Sequence, residues 1–474
     1  MKKNPFILAF VTILITPTLI AQVGGKEQLT SSQKIYELAV VWKELSYNFA
    51  NMDNCQGLNV DSLYAAYIPK IQRTKDDFEH YLTMQEFLAH FHNSHTYCMM
   101  PQQLMPSLAM IRLQTEYRDG RIYIRNISSQ YADKVSVGDE IVRIDGIPAV
   151  EWFTQNVAPL ISCTNQETLL EAAMFTPNAL HPMIFQPKSY NTKLEMEVKS
   201  GNGLKKLSIG YDWHFSPSKE QEEEQLKYHW MAIESENLAG NNNLFVVFPA
   251  QDAAYLRIDD CNAATVDTFM KYLPTINQNM HFVLDLRNNF GGDGRAYSPI
   301  TPYLVDKDSI MLSGVLLSRV NNSAYRAWAA VRMLYGDPES MDEYTKRVYC
   351  PHLFNNAFDT IQATTVANGN PNSQRYHGKV YVLVGPRTAS AAEGFVMQLV
   401  QSPNVCVVGK TTAGATGQPL VVPLPSGIIC MINSFRSFDT RNRDCSNGIA
   451  PDVERDFENS DVEEIVKMVM NDKK

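Results

Sequence analysis

Apolar residues recur at three- and four-residue spacing early in the chain, at Ile35, Leu38, Ala39, Trp42 and Leu45 and again at Tyr64, Tyr67, Ile68 and Ile71. That period lines them along one face of a helix. The stretch Asn51-Met52-Asp53-Asn54 and Gly57 interrupt it as a loop, and residues 82–91 predict a further short helix that runs into His90-Phe91-His92-Asn93-Ser94-His95. Residues 22–103 therefore read as a helical N-terminal unit. From about Pro106 the texture turns to β. Residues 121–127 alternate around Ile122, Ile124 and Ile127 after an Asp119-Gly120 turn, and a second apolar strand lies between turns at Gly138-Asp139 and Asp145-Gly146. This gives a β domain over 104–212. The polar run 216–224 falls in a solvated connector over 213–243. From Leu244 onward continuous apolar runs alternate with amphipathic ones: strands over 254–258, 281–286, 380–384 and 405–408, helices over 265–276 and 390–400. Strands that are apolar on both faces imply a largely parallel sheet covered on both sides, an α/β core over 244–474.

The first residues have a different character. Lys2 and Lys3 precede an almost wholly apolar run over 5–20, then the small Ala21, then polar sequence. That is the pattern of a secretory signal peptide over 1–21, and the run is short for a membrane span. The expectation is a periplasmic or secreted protein with no stable membrane anchor after signal cleavage. At 474 residues the chain exceeds one core, and its 45% hydrophobic and 20% charged composition is that of globular domains. Net charge is −9, and removing Lys2 and Lys3 takes it to −11. An acidic chain without a basic stripe excludes nucleic acid as the main partner. The eight cysteines form no C-x-x-C pair, which excludes a zinc ribbon and leaves disulfide pairing open.

Two segments carry chemistry. In the first, a buried strand ends at Gly385-Pro386, and small residues then surround Ser390 at a helix start. Small neighbours admit a substrate, and the amides of a helix N-terminus favour developing negative charge. Ser390 also suits a plain N-cap. In the second, the strand Phe282-Val283-Leu284-Asp285 runs on to Arg287-Asn288-Asn289-Phe290-Gly291-Gly292. Paired glycines permit close backbone approach and offer an N–H to an oxyanion. Asp285 and Arg287 suit a structural pair at the strand end. His90, His92, His95 and Cys98 lie close in sequence, but their spacing matches no zinc motif.

Together these segments resemble the C-terminal-processing (tail-specific) and tricorn-core family of serine peptidases. The four family motifs occur in order: the strand end over 284–292, Ser-Ala-x-Glu at Ser390 to Glu393, Val-Gly-x-x-Thr-x-Gly over 408–414, and Gly448-Ile449-Ala450-Pro451-Asp452. The resemblance implies a ClpP/crotonase-like catalytic core, and the Gly138 to Gly146 segment is similar to that of PDZ domains, inserted between the helical unit and the core. It also implies an endopeptidase acting on peptide or protein substrates through an acyl-enzyme on Ser390. Ala391 and either Gly291 or Gly292 would form the oxyanion hole, with no metal or organic cofactor. Tail-specific members place a lysine base directly after the Gly414 position, where this chain has Ala415; Lys410 lies too early to substitute. The tricorn-like branch instead uses a Ser-His pair ahead of the PDZ-like domain, which Ser94-His95 matches. His95 is then the expected base, with an ordinary pKa of about 6.5, and Ser94 supports it. Asp444 is the expected carboxylate orienting His95, with Asp439 further upstream. The family also has non-catalytic members that hold apolar ligands, the alternative to catalysis.

Overall fold

The computed structural model describes residues 28–166, 169–171, 192–201, 203–214, 244–319, 358–457 and 460–471, with scattered single positions elsewhere. The signal-peptide reading and most of the 213–243 connector lie outside the described residues. Helices α1 (Ser31–Asn48), α2 (Val60–Arg73) and α3 (Asp77–Ala89) come first. Thr30 starts α1 with a capping box: its hydroxyl accepts from Gln33 N–H, and the Gln33 side chain accepts from Thr30 N–H at 2.8 Å. Strand β1 (Tyr97–Met99) follows α3.

The next unit is an antiparallel sheet of β2 (Leu113–Arg118), β3 (Arg121–Ile127) and β4 (Glu140–Ile144), then helix α4 (Ala149–Asn156), then β5 (Lys193–Ser200) and β6 (Gly203–Gly210). These strands pair in the order given. A register shift opposite Gln114/Thr115 adds one residue to β3. It explains why the inward isoleucines run 122, 124, 127 rather than keeping strict alternation.

The third unit holds β7 (Phe245–Phe248), β8 (Ala253–Arg257), α5 (Ala263–Ile276), β9 (His281–Asp285), β10 (Lys379–Val384), α6 (Ala391–Leu399) and β11 (Val405–Gly409). A hairpin of β12 (Pro419–Pro423) and β13 (Ile429–Asn433) comes next, then β14 (Val453–Glu454) and α7 (Val462–Asn471). The main sheet runs β7-β8-β9-β10-β11-β14, parallel from β8 onward. Its central strands β8 to β11 are buried on both faces, while the outer β7 and β14 are partly exposed. Ala254, Leu284, Val382 and Val407 pack toward α5 and α6, while Tyr255, Val283, Leu383 and Val408 pack toward α7. The fold is mixed α/β, as the alternating pattern predicts.

The first unit does not close its own core. Leu38, Leu45, Phe87 and Phe91 pack in one cluster with Val422, Ile428, Cys430 and Ile432 of the β12–β13 hairpin. β1 pairs directly with β13. The end of the helical region is thereby seated on the third unit. No helix among the described residues is long and apolar enough to cross a membrane.

Candidate active site

Ser390 stands where β10 gives way to α6. Thr388 pins the turn: its N–H donates to Gly385 O at 2.9 Å, and its hydroxyl donates to Leu286 O at 2.8 Å. Ala389 N–H donates to Asn289 O at 2.9 Å, which ties the turn to the end of the neighbouring strand β9. Ser390 itself takes φ 54° and ψ −119°. Such a conformation costs a non-glycine residue roughly 1–3 kcal/mol, and it persists only where surrounding contacts hold it. An ordinary N-cap serine is extended. The backbone here lifts a half-buried serine at the head of α6, with Ala391 N–H among the unpaired donors of the first helical turn.

Gly291 lies against this turn. A Cβ placed on it would come within 2.6 Å of Ser390 Cβ and Ala389 O and 2.7 Å of Ala391 N, and its φ is 94°. Its own N–H is donated to Asn289 Oδ1 at 2.9 Å. Gly292 packs on the Cys261 backbone with φ 131°. Asp285 and Arg287 pair as expected, at 2.7 and 3.0 Å, and Tyr255 donates to the same carboxylate at 2.5 Å.

Glu393, one turn into α6, is fully buried and joins the Ser390 turn to the segment 412–414. It accepts from Ser390 N–H (3.0 Å), Thr412 Oγ1 (2.6 Å) and Gly414 N–H (2.9 Å). Burial pushes its carboxyl up to about 7. On the same segment Ala413 N–H donates to Thr388 O. The sequence offers Glu393 as a motif position; its clamp depends on Thr412 and Gly414, which only the fold brings near.

The helical unit reaches this segment from the other side. Asn93 Oδ1 accepts from His95 N–H (3.0 Å) and Thr96 Oγ1 (3.2 Å), which shapes a turn presenting Ser94 and His95. Ser94 donates to Ala413 O at 3.1 Å, and Thr164 donates to Gly414 O at 3.0 Å. His95 is buried, with Nδ1 3.0 Å from Gly417 O. A carbonyl oxygen only accepts, so Nδ1 carries the proton and the Nε2 lone pair is left to act as a base. Burial lowers the imidazole to about 4, well below the ordinary value the sequence suggests. Ser390 and His95 thus hang on one segment, 412–417. Among the described residues no direct hydrogen bond joins them.

Other candidates are engaged elsewhere. Asp444 binds Arg436 at 2.5 Å and the Ser446 N–H at 2.9 Å, and Asp439 binds Arg443 at 2.7 Å. The expected orientation of His95 by Asp444 is replaced by the Gly417 carbonyl, which sequence alone does not single out. Lys410 pairs with Asp456 at 3.0 Å, and Ala415 is buried. His90 lies 2.9 Å from Tyr67 Oη and Cys98 against Cys430, so the histidine-cysteine cluster disperses to separate partners. A cavity of about 720 Å³ is lined by Thr164, Gln166, Asn447, His90 and His92 among others, but by neither Ser390 nor His95.

The sequence pattern of peptidase family S41 matches residues 252–455. No curated protein sequence matches the chain. Among solved structures, mature CPAF complexed with lactacystin is similar at TM-score 0.65 and 14% identity, over 93% of this chain and 98% of that one. Mature CPAF alone is similar at TM-score 0.60 and 14% identity, over 93% and 96%. At that identity the likeness concerns the fold.

Proposed function

With residues 252–455 belonging to peptidase family S41, and the chain therefore a serine-type peptidase acting on peptides or proteins, we propose that Ser390 is its nucleophile and His95 its general base. The observation that carries the reading is the turn at Ser390, a strained serine held at a helix N-terminus against a glycine that leaves no room for a side chain. A peptide carbonyl lying over Ser390 Oγ directs its oxygen at the Ala391 N–H. Gly292 N–H is the second donor, because that of Gly291 is spent on Asn289. As the Oγ–C bond forms, His95 Nε2 takes the hydroxyl proton. It returns that proton to the leaving amine nitrogen as the C–N bond breaks, and water then releases the acyl group. The step requires Nε2 within about 2.6–3.2 Å of Oγ, a contact that tightens in substrate complexes.

Ser94 acts as a positioning residue through Ala413 O, and the Gly417 carbonyl holds the tautomer of His95 in place of a carboxylate. The core over 244–474 is read as ClpP/crotonase-like, the sheet over 104–212 as a PDZ-like insert able to hold an extended peptide by strand addition, and residues 22–103 as the unit that delivers the base. The enzyme is read as an endopeptidase exported to the periplasm or medium after loss of 1–21.

The test is a fluorophosphonate probe followed by peptide mapping. The reading requires stoichiometric modification of Ser390 in the wild type and none in Ser390→Ala. Modification at another residue, or a wild type that hydrolyses peptides without reacting, overturns it.

A further inference from the structure

Three residues beyond His95, β1 lays Cys98 directly opposite Cys430 of β13, with the two sulfurs 3.1 Å apart. Cys98 is 3% exposed and Cys430 is 0% exposed. Cys98 N–H donates to Gln85 Oε1 at 2.7 Å rather than across the ladder. The pair is therefore of the non-hydrogen-bonded kind, whose Cα atoms lie roughly 4.5 Å apart. That separation falls inside the ~4.4–6.8 Å range that a disulfide spans. The thiols of Cys55, Cys163, Cys261 and Cys445 instead donate to oxygens of Phe91, Asn165, Asn289 and Arg443.

We propose that Cys98 and Cys430 are a covalent cross-linking site, joined by a disulfide that clamps the His95 segment to the β12–β13 hairpin. The bond forms by exchange with a disulfide-bearing oxidant, either an oxidised dithiol protein or glutathione disulfide. One cysteine thiolate attacks an oxidant sulfur and expels the first oxidant thiolate. The other cysteine thiolate then attacks the mixed disulfide and expels the second. The chain gives up two protons and two electrons, and the oxidant disulfide leaves as two thiols. Burial and the neighbouring sulfur hold the Cys98 thiol well above its usual range in the folded chain. Exchange therefore occurs while β1 is still undocked, and docking shields the product. The clamp acts on the base side of the site: the adjacent Thr96 Oγ1 accepts from Asn433 N–H of the same hairpin.

The experiment takes two samples of the full chain, one produced in an oxidising compartment and one produced reduced and then equilibrated in a mixture of reduced and oxidised glutathione. Each is denatured in an alkylating agent without reductant, digested and mapped. The expected result is one cross-linked peptide pair containing Cys98 and Cys430, lighter by two hydrogens than the separate peptides, in either sample. Alkylation of both residues in both samples overturns the proposal, as does either residue joined to a different cysteine. A second readout uses thermal inactivation: a reductant lowers the inactivation temperature of the wild type and leaves that of Cys430→Ser unchanged. Equal shifts in both proteins also overturn it. Because the mapping does not require turnover, its failure is separable from failure of the peptidase reading.

Discussion

Gly291→Ala tests the geometry of the nucleophile turn with a single methyl group. The added Cβ sits 2.6 Å from Ser390 Cβ and from Ala389 O, against an ordinary carbon contact of about 3.5–4.0 Å. Something must therefore move by about 1 Å, and the candidates are the backbone of Ser390 or of Gly291 itself. The φ of 94° adds strain that alanine resists. Displacing a reacting atom by ~1 Å costs on the order of 10²-fold in rate. The expected outcome is kcat on a fluorogenic peptide reduced by roughly 100-fold or more, with fluorophosphonate labelling slowed in parallel. Far-ultraviolet circular dichroism should stay unchanged. Gly294→Ala supplies the control. Its Cβ would meet nothing closer than the Tyr297 hydroxyl at 3.5 Å, so its rate should stay within about twofold of wild type, as for a substitution away from strained contacts. A folded Gly291→Ala enzyme with normal kcat and labelling would refute the assignment of this turn as the site of attack.

Four further outcomes follow from named contacts. His95→Ala should lose on the order of 10³-fold in kcat, whereas Lys410→Ala, which breaks a part-exposed pair with Asp456, should keep most activity in the same assay. Since burial lowers His95 to about 4 and the neutral ring is the proposed base, kcat/KM should fall only as pH drops through about 4; an acid limb near 6.5 would show that the ring is solvated in the working enzyme. Asp444→Asn should leave kcat unchanged and cost about 0–1 kcal/mol of stability in denaturant melts, because its partner is Arg436; a large kcat loss would restore it as the carboxylate behind His95. Glu393 is raised to about 7, so its protonated form favours the fold and that contribution is present below about 4.5 and lost as pH rises through 7. Thermal melts of Glu393→Gln should lack that slope, and an identical slope in both proteins would place the titration elsewhere.

The sheet was legible because its strands read as uninterrupted apolar runs with unmistakable breaks: 281–286 and 380–384 differ from β9 and β10 by one residue at an end. The strand-turn-helix around Ser390 was legible because its three parts are consecutive in sequence. The surroundings of His95 were not. Its hydrogen-bond partner Gly417 is 322 positions away, and nothing local marks that one carbonyl among many. Asp444 looked suitable by type and place, yet Arg436, eight residues earlier, claims it first. The pKa of His95 was equally out of reach, since the pattern of a helix end does not reveal that the ring will be buried against the backbone of Thr416 and Gly417. Nor does a helical period reveal that the apolar face of the N-terminal helices is completed by residues of the hairpin over 419–433.

That shared core sets an order of assembly. The segment carrying His95 leaves the ribosome early, but the residues that bury α1 and α3 and pair with β1 are made more than three hundred positions later. Contacts that distant in sequence close slowly and late. A nascent chain ending before Pro419 therefore has its serine turn synthesised while β1 lacks the hairpin strand it pairs with and α1 and α3 lack the apolar residues that cover them. If His95 serves Ser390 as proposed, hydrolytic competence waits until the hairpin emerges, and a newly made chain is inert toward its neighbours for most of its own synthesis. Chains halted at residue 418 should leave 31–99 open to proteolysis, and those halted past 457 should protect it; early protection would show that the helices fold without the hairpin.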